Sequence, residues 1–145
     1  MRKSIYIAAV LGLAYLLSYV SEPSDGALVS PAPASSSEQV MQAYENRQSD
    51  VQVRGQGTVL KVLPDDTKGS RHQKFILRIA EGHTLLVAHN IDLAPRIPQL
   101  REGDLVGFNG EYEWNNRGGV LHWTHHDPGN KHADGWLTHK GKTYQ

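Results

Sequence analysis

Five histidines, His122, His125, His126, His132 and His139, fall within eighteen residues, beside Asp127 and Asp134. Imidazole and carboxylate are ligands that zinc and similar divalent ions accept, and with no cysteine in the chain a metal site here would be built from them alone. In an extended strand His122 and His126 share one face while Trp123 and His125 share the other. If the strand ends near Thr124, the turn at Asp127-Pro128-Gly129 gathers His125, His126 and Asp127, with His132 closing the site. The candidate metal ligands are therefore His122, His125, His126 and Asp127, around a divalent ion such as zinc, with an open position for a reactive water. The competing reading is that these imidazoles hydrogen-bond backbone and brace a loop. No His-Glu-x-x-His or calcium-loop spacing is present.

A second group is formed by Arg71, His72, His89 and Trp123, the candidate ligand-binding residues. Arg71 and His72 follow a polar loop that in an OB-type barrel borders the binding face, and a guanidinium there can grip a phosphate or carboxylate. Trp123 offers a stacking surface for a base or sugar ring. Tyr112 and Trp114 share parity with Val106 and Phe108 and are expected in the core.

The elements that must position these residues repeat with period two rather than 3.6. Val51–Val62, Phe75–Ile79, Leu85–Ala88, Val106–Trp114 and Val120–Trp123 read as five strands. Glu81-Gly82 and Asn115–Gly119 read as hairpin turns, and Pro95 and Pro98 make 92–102 a loop or a single helical turn. Val51 and Val53 hold one parity and Leu60 and Val62 the other, so Gly55 and Gly57 mark a bulge where the inward face switches. A long bent strand, a hairpin, a non-strand connection and a second hairpin give the order of a mostly β, five-stranded OB-like barrel over 51–145. An open sandwich is the alternative.

Upstream, Met1-Arg2-Lys3 precedes an uncharged stretch from Ser4 to Val20, the pattern of a signal peptide or membrane anchor over 1–21. Two basic residues ahead of it keep the N-terminus cytoplasmic, so the remainder is expected to be periplasmic or extracellular, with 4–20 as an inner-membrane tether. Residues 22–50 read as a flexible linker rich in Pro, Ser and Ala, in which 38–48 can form a short helix with a weak apolar edge at Val40, Met41 and Tyr44. The chain has 15 basic and 15 acidic residues, and without Arg2 and Lys3 the rest is slightly acidic, which does not favour nucleic acid as a partner.

The segments Gly69-Ser70-Arg71-His72-Gln73 and His122-Trp123-Thr124-His125-His126-Asp127-Pro128, with His89–Arg96 and Gly103-Asp104, resemble a family of small bacterial proteins catalogued only as a domain of unknown function. The resemblance covers about 51–145 and implies an exported bacterial domain with no established activity and no assigned site residues. Three functions stay open: a ligand-binding module taking a small ligand or oligosaccharide, a metal-dependent hydrolase such as a phosphodiesterase or nuclease, and a structural envelope protein.

Overall fold

The computed structural model describes residues 36–145, and the signal or anchor segment expected over 1–21 lies outside them. Among the described residues no helix is long and apolar enough to cross a membrane. The chain is mostly β: helix α1 (Ser36–Glu45) is followed by β1 (Val51–Asp66), β2 (His72–Ala80), β3 (His83–Asn90), β4 (Leu105–Glu113), β5 (Val120–His122), β6 (Trp136–His139) and β7 (Lys142–Tyr144).

The pairings run β1-β2-β3-β5-β4, and β4 pairs back onto β1, so five strands form a ring. All its contacts are antiparallel except β3 with β5, which run parallel through Leu86–Val120 and Val87–Leu121. The length of β1 makes the return pairing feasible. Its first half, Val51–Thr58, pairs with β4, and its second half, Thr58–Asp66, with β2. The two short strands beyond the five expected, β6 and β7, extend the sheet from β4.

Alternation places Val53, Val59, Phe75, Leu77, Val106, Phe108, Tyr112 and Leu121 inside the ring, each buried. The expected switch of faces at Gly55 and Gly57 does not occur. Val53, Gly57 and Val59 keep one inward parity, whereas Val62 is 39% exposed. The register shift lies downstream, between Val59 and Lys61. Gly57 serves close approach instead: a Cβ there would stand 2.8 Å from the Arg78 carbonyl of β2. The proline-bearing connection contains no helix, and its Ile97 is buried. The Gln73 amide holds Ile97 by donating to its carbonyl and accepting from its N–H, both at 2.9 Å.

Helix α1 shows that the packed fold begins before residue 51, inside the segment read as linker. Val40 and Ala43 are buried in the common core, and Tyr44 packs against it. Positions 40, 43 and 44 lie on one helical face, so Ala43 rather than Met41 completes the apolar edge. Trp114 ties the helix down by donating its indole N–H to the Tyr44 carbonyl at 3.1 Å.

The β4–β5 turn depends on Asn115 and Gly119. The Asn115 side-chain oxygen accepts the N–H groups of Arg117 and Gly119, at 2.8 and 3.0 Å. Gly119 has φ +100°, and a Cβ there would lie 2.2 Å from the Tyr112 ring. Burial raises the Tyr112 phenol to about 12, and its hydroxyl donates to the Gly118 carbonyl.

Candidate functional site

The end of β5 is the centre of a polar network. His89, at the end of β3, is buried, and both of its ring nitrogens are used. Nε2 lies 3.0 Å from the Pro95 carbonyl and Nδ1 lies 2.7 Å from the Thr124 hydroxyl. A carbonyl only accepts, so Nε2 carries the proton and Nδ1 accepts from Thr124. Burial lowers the His89 pKa to about 4. It is a neutral internal brace rather than a ligand at an open mouth.

The neighbouring candidates are also committed to the protein. Asp92 accepts the Arg71 backbone N–H at 2.8 Å and its Nε–H at 2.7 Å, and these bonds hold the Asp92 carboxyl below the usual range. His72 donates Nδ1–H to the Ser70 carbonyl at 2.8 Å. Arg96 pairs with Asp65.

Beyond Thr124, His122, His125, His126 and Asp127 do not gather round one point. The buried His125 ring donates Nδ1–H to the His126 carbonyl at 2.6 Å. His126 pairs with Asp134 at 3.1 Å. The Asp127 carboxylate accepts the backbone N–H groups of Gly129, Lys131 and His132, and those bonds hold it below the usual carboxylate range. His122 faces β4 instead. Among the described residues no group of three or more His, Asp or Glu side chains is arranged to hold a metal ion. The sequence reading misses the loop's use of its own carboxylate: Asp127 organises the backbone of the turn that follows it.

What does converge lies on the outer face of β4 and β5. Register sets Glu111 opposite His122, and Glu113 follows two positions along the same face. His122 Nε2 stands 3.4 Å from Glu111 Oε1 and 3.3 Å from Glu113 Oε2. Both distances exceed the 2.7–3.2 Å of an N–H···O bond. Among the described residues His122 Nε2 is a buried side-chain atom without a hydrogen-bond partner. The other Glu111 oxygen pairs with His132 Nε2. That bond raises the His132 pKa and pins the 127–135 loop to the sheet. His132 in turn stacks on Trp123, with ring centroids 4.0 Å apart and planes 10° apart. Trp123 has φ +55°, a backbone conformation that is uncommon and costly for a bulky side chain. This turns the chain out of β5 and sets the indole beside the Glu111–His122 pair's own partner, His132. Strand parity carries a signal for the two glutamates: Val106, Phe108 and Tyr112 point inward, so Glu111 and Glu113 must point out together.

A further imidazole–carboxylate pair sits at the β6–β7 turn. His139 Nε2 donates to Asp104 Oδ2 at 2.8 Å, and this bond with the Arg101 N–H holds Asp104 below the usual range.

Ring and network together define a small mostly β domain whose histidines are largely used as internal and loop-bracing donors. Residues 26–145 match the family described as Protein of unknown function (DUF3465), and the chain belongs to that family. Comparison with curated proteins found no match.

Proposed function

We propose that this is an exported or membrane-tethered ligand-binding domain, built on an OB-type barrel, whose binding pole is formed by Glu111, Glu113 and His122. The barrel reading is supported by the ring order with its parallel β3–β5 pairing. The exported location is supported by the basic start and apolar stretch at 1–20. The observation that carries the binding reading is the unpartnered His122 Nε2 between two carboxylate oxygens. Buried polar atoms in folded proteins are normally satisfied, and because His122 stands too far from either oxygen for a good hydrogen bond, the two carboxylates keep acceptor capacity for a donor from outside.

The ligand chemistry follows from the geometry. Two carboxylates side by side, that of Glu113 half exposed, make the pole negative and rich in acceptors, and it then suits a group with several N–H donors and positive charge: an ammonium. A metal ion requires ligands at about 2.0–2.2 Å closing on one point, whereas an ammonium takes acceptors at about 2.7–2.9 Å over a wide range of angles. The hydrolase reading is weaker because it needs three converging ligands and an open position.

Titrating the full-length chain with spermidine, ethylamine, zinc and manganese, followed by NMR of the His122 ring and the Glu111 and Glu113 side chains, tests this. The amines are expected to perturb these signals in the wild type and not in Glu113→Gln. Perturbation by zinc or manganese alone would restore the metal reading. No response to any probe would leave a structural envelope protein.

A further inference from the structure

Two rows along the same outer face from Glu111 lies a hollow whose polar groups the protein leaves unspent. Register places Gln56 of β1 beside Gly107 of β4, and Gly107 beside Thr138 of β6. The missing side chain of Gly107 lets the Thr138 hydroxyl settle over β4. A Cβ there would stand 2.3 Å from Thr138 Oγ1 and 3.7 Å from the Trp136 indole. The cavity measures about 410 Å³, and Leu105, His139 and Lys140 complete its rim.

Elsewhere Gln73, His89 and Asn115 spend their side chains on the protein's own groups. The Gln56 amide and the Thr138 hydroxyl make no such bond with any described residue. Each of these two groups both donates and accepts. His139, on the buried face of β6, spends Nε2 on Asp104 and walls the cavity rather than offering a group to it.

The charges at the rim cancel, with the Lys140 ammonium acting on the Asp104 carboxylate. A small anion would therefore face Asp104 and a cation would face Lys140. A neutral molecule with adjacent hydroxyls meets neither penalty, because each hydroxyl donates once and accepts twice, matching the amide and the hydroxyl. Leu105, 57% exposed at the edge, supplies apolar surface for the C–H face of a sugar ring. We propose that the Gln56–Gly107–Thr138 hollow binds an uncharged saccharide unit, at a site separate from the Glu111–Glu113–His122 pole.

The test is an NMR titration of the full-length chain in a zwitterionic, sugar-free detergent. The probes are glucose, galactose, mannose, N-acetylglucosamine and their trisaccharides, with acetate and ethylamine as charged comparators. At least one sugar series is expected to move the amide signals of Gln56, Gly107 and Thr138. Thr138→Val, which keeps the strand-favouring shape and removes the hydroxyl, is expected to weaken that binding roughly five- to tenfold. Gly107→Ala is expected to abolish it by displacing the Thr138 hydroxyl. Gln56→Met, at an exposed position, gives an independent reading should either variant fail to fold, and it too is expected to weaken binding. The proposal is overturned if no sugar moves these signals, if acetate or ethylamine moves them more strongly, or if folded Thr138→Val and Gln56→Met bind as the wild type does.

Discussion

The imidazole of His89 and the hydroxyl of Thr124 meet inside the molecule at 2.7 Å, joining the end of β3 to the residue that follows Trp123. The Pro95 carbonyl determines which tautomer His89 adopts, and the two bonds together fasten the proline-bearing connection and the end of β5 to the same ring. The segments that supply the ligand-binding candidates His89 and Trp123 are therefore joined by one internal brace.

That brace predicts acid sensitivity. In the unfolded chain His89 takes a proton near its ordinary value of 6.5, whereas in the folded chain it stays neutral down to about 4. Between those values the unfolded state binds more protons. The stability present above pH 6.5 therefore falls as pH drops toward 4, by up to about 3 kcal/mol. Urea unfolding at pH 7 and pH 4.5 should show this loss in the wild type and a smaller one in His89→Gln. Equal slopes in the two proteins would rule it out.

Thr124→Val removes the donor and leaves His89 Nδ1 buried and unsatisfied. The expected cost is roughly 1–3 kcal/mol, read from the urea midpoint at pH 7. Because Nδ1 loses its hydroxyl partner, the His89 ring signal in NMR should shift as well. A stability change under a few tenths of a kcal/mol would mean that the network does not carry load here.

Glu111→Gln tests the loop clamp. The Glu111 bond is the largest cause of the raised His132 pKa, so the variant should return His132 toward its ordinary range in an NMR titration. A histidine whose folded pKa is raised stabilises fully below its unfolded value and loses that contribution as pH rises through the folded value. Amide exchange across 127–135 should accordingly quicken as the wild type is taken from mildly acid to mildly alkaline pH, beyond the chemical rate change. In the variant it should be quicker at the acid end and should lack that step.

Val40→Ala tests whether α1 belongs to the core. Val40 is fully buried against the ring, and losing two methyl groups there should cost roughly 2 kcal/mol. A chain starting at residue 51 should be less stable than one starting at residue 33, because Trp114 would also lose its partner at the Tyr44 carbonyl. Thermal unfolding of the two fragments side by side decides it, and equal midpoints would return α1 to the linker.

The sequence by itself determined what depends on neighbours along the chain. Alternating burial in β2, β3 and β4, the tight turn at Glu81-Gly82 and the glycine-rich turn before β5 are properties of a few consecutive residues, and parity already put Tyr112 inside. The family resemblance was likewise carried by short contiguous segments, and residues 26–145 match that family. Tertiary structure alone decided the roles of the histidines. A His in a polar stretch reads the same whether its ring meets a carbonyl, as His125 does, a carboxylate on another strand, as His132 does, or a hydroxyl thirty-five positions away, as His89 does. It also decided that α1 joins the core, since a helix with a weak apolar edge is stable only when something covers that edge. The Gln56–Gly107–Thr138 hollow was likewise hidden, because strands distant in the chain become neighbours only through register, and register is set by the ring as a whole.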